Sequence, residues 1–100
     1  MKTTRERNIE AHFCRAVKAA GGETRKFLGR KNNPDRLVLW PARASASGYA
    51  MVHFVELKRP GKKPRRAQAR ELKRLDTMGF VAIYLDTKEL IDFYVKTWRD

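Results

Sequence analysis

Between Ala50 and Leu85 the chain reads as strand, breaker, helix, strand, and that unit limits the fold more than any other stretch. Ala50 to Lys58 is rich in β-branched and aromatic residues. Pro60 stops it, because proline has no donor for a ladder. Pro64 to Met78 has apolar residues at helical spacing and ends at Gly79. Phe80 to Leu85 is an apolar strand. A strand that returns through a helix suits a right-handed crossover and a parallel pair. Upstream, Thr3 and Glu6 read as a capping box opening a helix that runs to about Ala20. Ile9, Phe13, Ala16, Val17 and Ala20 form its apolar stripe, and Gly21-Gly22 closes it. Glu23 to Leu28 and Arg36 to Trp40 read as strands around a turn-rich loop from Gly29 to Pro34; Pro41 to Gly48 is a second loop. Thr87 to about Thr97 reads as a final helix with Leu90, Ile91, Tyr94 and Val95 inward. The order αβββαβα makes a single α/β domain over residues 1–100, a mixed central sheet with helices on its faces.

The composition narrows the partners. A net charge of +12, from 23 basic against 11 acidic residues, favours a polyanion, nucleic acid before membrane. The single cysteine, Cys14, excludes a disulfide framework within the chain and a zinc-ligand cluster, and reads as an inert core residue. The polar N-terminus is unlike a secretory signal, and no apolar run is long enough to span a membrane. A soluble, cytoplasmic protein is expected.

Glu56 is out of place in the apolar run from Val52 to Leu57, where an isolated carboxylate carries a desolvation cost. Side chains alternate along a strand, so Glu56 and Lys58 share one face while Val55 and Leu57 take the other. If the two central strands are antiparallel with Pro41 facing Ala50, Asp35 lies opposite Glu56 on the same face. Two close carboxylates repel unless one is protonated or a cation lies between them. Hard oxygen ligands suit Mg²⁺ or Mn²⁺, and Lys58 would stand beside the ion. Taken singly, Glu56 and Lys58 also read as an edge-strand ion pair, and Asp35 as a turn residue after Pro34. His53 faces away from Glu56 and His12 is isolated, so neither reads as a metal ligand.

In the stretches from Ile9 to Gly22, Asn33 to Leu39 and Val55 to Lys58, and at Gln68, the chain resembles the VRR-NUC family of the PD-(D/E)XK nuclease superfamily, in its small stand-alone viral type. The resemblance covers nearly the whole chain; Asn33 departs from the small or apolar residue many relatives carry before the proline. It implies a restriction-endonuclease-like fold, metal binding by Asp35 and Glu56, a catalytic Lys58, and a first-helix glutamate completing the metal shell. Glu10 fits that position better than Glu6, which the capping box already explains. Gln68 fits a glutamine the family places near the site; its other reading is an amide satisfied by backbone. Archaeal Holliday junction resolvases are similar in the same stretches, which implies a homodimer acting on four-way junctions and cleavage that leaves a 5′-phosphate.

Arg59, Lys62, Lys63, Arg65, Arg66, Arg70, Lys73 and Arg74 are set against one acid, Glu71, over sixteen residues, and Arg30 and Lys31 add charge before Asp35. Such a cluster holds phosphates and carries little sequence information. The aromatics do not interleave with it and read as core, so no base-stacking platform is expected. These features point to a Mg²⁺- or Mn²⁺-dependent endonuclease acting on branched DNA. The alternative is a basic nucleic-acid-binding module without catalysis.

Overall fold

A computed structural model describes residues 5–100. Its elements are α1 (Glu6–Ala19), β1 (Glu23–Lys26), β2 (Arg36–Trp40), a short 3₁₀ turn (Ala42–Ala44), β3 (Met51–Leu57), α2 (Arg66–Thr77), β4 (Val81–Leu85) and α3 (Lys88–Trp98). They form one four-stranded sheet in the order β1-β2-β3-β4. The first two pairings are antiparallel and β3–β4 is parallel, so the sheet is mixed as expected. The β2–β3 register runs from Arg36 opposite Val55 to Trp40 opposite Met51, the register that sets Asp35 across from Glu56.

The helix ends follow local chemistry. Thr3, the expected cap of α1, lies outside the described residues; the helix begins at Glu6 with Arg5 as N-cap and no side-chain cap bond. Helix α2 starts two residues later than expected, because Pro64 and the extended Arg65 precede it. Thr87 is the cap of α3 rather than its first residue, its hydroxyl accepting from Leu90 N–H at 3.1 Å. At the other end of α1, Gly21 takes a φ of +92°, and a Cβ on Gly22 would come within 2.8 Å of Val17 and 2.9 Å of the Trp40 ring.

Strand alternation gives the sheet two different faces. Val38, Trp40, Val55, Leu57 and Leu85 pack with Ile9, Phe13 and Val17 of α1 and Ile91, Tyr94 and Val95 of α3 in the main core. Trp40 donates to Tyr94 Oη at 3.1 Å, and that hydroxyl lies 2.6 Å from His53 Nδ1. The hydroxyl has one proton and two acceptor sites, so it pairs with His53 Nδ1 in either tautomer of the ring, while the buried Nε2 has no partner. Burial lowers the His53 pKa from 6.5 to about 4 and keeps the ring neutral.

The second face carries Phe54, Glu56, Ala82 and Tyr84 and is covered in part by α2, which packs on β4. Phe54 joins Phe27 and Phe80 in a row there, with ring centroids 5.7 and 5.3 Å apart. Three expectations about packing do not hold. Leu90 is exposed, because Ile91, Tyr94 and Val95 already fill the inward face of α3. Tyr49 and Phe93 are largely solvent-exposed rather than core. Cys14 is only partly buried and receives a weak hydrogen bond from Thr24.

Gly22→Ala will destabilise the fold by about 1–3 kcal/mol through overpacking, read as a lower urea midpoint at unchanged m-value. An unchanged midpoint would show that the α1–β1 junction has room to spare.

Candidate active site

Asp35 and Glu56 meet where β2 and β3 begin to diverge. One step beyond the last ladder pair, Asp35 N–H donates to Glu56 Oε1 at 3.1 Å, and Leu57 N–H donates to Asp35 Oδ2 at 2.9 Å. Each carboxylate thus satisfies a backbone donor that the fraying ladder would leave open. Pro34, fully buried just before, has no N–H to satisfy. Asp35 is exposed while Glu56 is 1% exposed, so the pair opens to solvent on the aspartate side.

Glu56 Oε2 is buried without a hydrogen-bond partner. Lys58 Nζ lies 3.6 Å from it, beyond hydrogen-bond length but within ion-pair range. Lys58 is itself mostly buried, and its backbone N–H donates to Leu85 O at 3.0 Å, fixing the strand end beside β4. Burial chiefly, then the neighbouring Asp35 charge, raises the Glu56 pKa from 4.5 to about 7; Lys58 pulls the other way. The structure therefore brings Asp35, Glu56 and Lys58 together at one rim of the sheet.

It does not bring Glu10 to them. Glu10 accepts a hydrogen bond from Arg36, whose side chain, one residue after Asp35, points to the α1 face. Glu6 is exposed in the first turn of α1. Among the described residues no three His, Cys, Asp or Glu side chains cluster as a metal site. Gln68 caps α2: its Oε1 accepts from Arg65 N–H at 2.9 Å. Only that half of a capping box can form, because arginine offers no acceptor. His12 is tied to Asp92 of α3 at 2.7 Å, and His53 lies on the opposite face in the core.

Arg59, Lys62, Lys63, Arg65, Arg66, Arg70, Lys73 and Arg74 are all exposed, as are Arg30 and Lys31. Glu71 stands out in the structure as it does not along the chain. Its side chain is 12% exposed and lies between Arg30 at 3.9 Å and Arg74 at 3.7 Å. The (i, i+3) spacing of Glu71 and Arg74 is the only part of this readable from sequence.

No family model matches the chain. It is 40% identical over 92 residues to "Putative nuclease p44" of Acyrthosiphon pisum secondary endosymbiont phage 1, covering 90% of this chain and 91% of that protein. Its structure is similar to a solved VRR_NUC domain with a TM-score of 0.76 and 27% identity, over 93% of this chain and 96% of the other. The mixed four-stranded sheet with flanking helices is the fold of that domain. The chain belongs to the VRR-NUC family.

His53 and Glu56 have opposite linkage. His53, with a pKa lowered to about 4, withdraws stability as pH falls below 6.5. Glu56, with a pKa raised to about 7, withdraws stability as pH rises above 4.5. Between pH 4.5 and 6.5 the two slopes oppose each other at about 1.4 kcal/mol per pH unit. Glu56→Gln will expose the histidine slope, a loss of about 3 kcal/mol between pH 6.5 and 4 relative to neutral pH. His53→Phe will expose the opposite slope. Denaturation across pH checks both; identical pH profiles for wild type and both variants would refute the assignment.

Proposed function

We propose that the protein is a Mg²⁺- or Mn²⁺-dependent endonuclease that hydrolyses phosphodiester bonds in branched DNA, with four-way junctions as the preferred substrate. The observation that carries this reading is the partnerless Glu56 Oε2, buried beside Asp35 and 3.6 Å from Lys58. That donor set fits a hard divalent cation: two carboxylates with oxygens left over, in a setting that raises the cost of holding both charges without one. Asp35 and Glu56 would hold the ion, and the chemistry it supplies when bound is polarisation of a phosphoryl oxygen. Glu10 joins them only if it leaves Arg36.

Lys58 is held by burial at a fixed distance from Glu56. From there its ammonium can orient an attacking water or neutralise charge gathering on the transition-state phosphate. The resemblance to junction resolvases implies attack opposite the 3′ oxygen, which departs as a 3′-hydroxyl and leaves a 5′-phosphate. The basic residues from Arg59 to Arg74, with Arg30 and Lys31, grip the backbone without reading bases. Cutting two strands of a junction calls for two sites, so a homodimer is the economical assembly.

Lys58→Ala will retain junction binding in calcium or chelator and lose cleavage by at least about 100-fold, the scale of a single electrostatic group at a reacting phosphate. The measurement is cleavage of labelled junction and linear duplex with Mg²⁺, Mn²⁺ and chelator. Equal cutting by the Lys58 variant defeats the mechanism. Binding by the wild type without cutting in either metal would leave a non-catalytic nucleic-acid-binding module.

A further inference from the structure

An open cleft of about 540 Å³ lies between the 29–34 loop and α2, and neither Asp35 nor Glu56 lines it. Arg30 and Lys31 line one side and Arg70, Lys73 and Arg74 the other, with Glu71 between them. The loop wall has a defined shape: Asn32 takes a φ of +68°, and Asn33 N–H closes a turn onto Arg30 O at 3.3 Å. Glu71 is the lone carboxylate among five cations, and it is nearly covered by them. Exposed ion pairs add little to stability, on the order of 0–1 kcal/mol. By charge alone Glu71 is a liability, since it subtracts from the field that attracts a polyanion.

We propose that this cleft is a built phosphate subsite for a nucleic-acid strand, and that Glu71 is its positioning residue. The proposal rests on the reading of the protein as nucleic-acid-binding. Glu71 draws two guanidinium groups to one place at ion-pair range, Arg30 from the loop at 3.9 Å and Arg74 from the helix at 3.7 Å, both beyond hydrogen-bond length. A guanidinium has five N–H donors, and Glu71 takes up none of them, so both forks keep their donors for a phosphate. Two forks gathered by one carboxylate, supported by Lys31, Arg70 and Lys73, fit successive backbone phosphates. The Arg30–Glu71 ion pair ties the loop that leads into Pro34 and Asp35 to α2. A strand seated in the cleft would then hold this loop against α2 next to the carboxylate rim.

A diffuse basic surface and a positioned clamp differ in the sign of one measurement. Glu71→Gln adds a unit of net positive charge. A diffuse surface would then bind DNA more tightly, whereas a positioned clamp binds it several-fold more weakly. Binding of a fluorescein-labelled junction is measured without divalent metal, so cleavage plays no part and failure of the nuclease reading is recorded separately by the cutting assay. The slope of log affinity against log salt should become shallower by about 0.9 for each phosphate no longer neutralised, so by one to two such steps in Arg30→Ala/Arg74→Ala. In that double variant, Glu71→Gln should have no further effect, and all variants should melt within a few degrees of wild type. Tighter binding by Glu71→Gln, an unchanged salt slope in the double variant, or micromolar binding of inorganic phosphate with DNA affinity indifferent to Glu71 would each overturn the proposal.

Discussion

The organisation of this protein depends on the antiparallel register of β2 against β3. Because Arg36 sits opposite Val55, the next pair outward is Asp35 and Glu56, and the two carboxylates complete the ladder by accepting each other's strand donors. A slip of one residue would turn Glu56 and Lys58 into the main core and bring Val55 and Leu57 out to the α2 face. The core on the α1–α3 side, with Val38, Trp40, Val55 and Leu57, therefore enforces the arrangement on the opposite side. Packing on one face sets the chemistry on the other.

Much of this was legible along the chain. The apolar run from Arg36 to Trp40 has the observed limits of β2, β3 is one residue shorter than expected at each end, and β4 starts one residue later. The register was accessible because the loop from Pro41 permits a simple turn-back and the charged ends of both strands mark the same rim. Positions that depend on how a helix is rotated against the sheet were not accessible. Glu10 meets the guanidinium of Arg36 on the neighbouring strand, which captures it, and spacing along the chain does not show that partner. Gln68 was drawn to its own helix start, where an unpaired backbone donor lies three residues away. Leu90 and Phe93 have the hydrophobicity of core residues, yet α3 had no inward position left for them.

The two faces also divide the protein's electrostatic burden. His53 is kept neutral deep in the aromatic cluster around Tyr94, with Trp98 edge-on at 4.6 Å. Glu56 is pushed toward its neutral form across the same strand, three residues along. One strand thus carries two buried ionisable groups that resist charging for the same physical reason, loss of hydration, while responding to pH in opposite senses.

The bonds exchanged by Asp35 and Glu56 have a further consequence. Each acid commits one oxygen to holding the strands together and keeps one for anything that arrives from solvent. The same atoms serve as joinery and as reagent. Cutting either acid back past its carboxyl also loosens a seam of the sheet, whereas an amide in its place keeps the accepting oxygen; Lys58, whose ammonium holds no backbone, can be removed without unpicking the join.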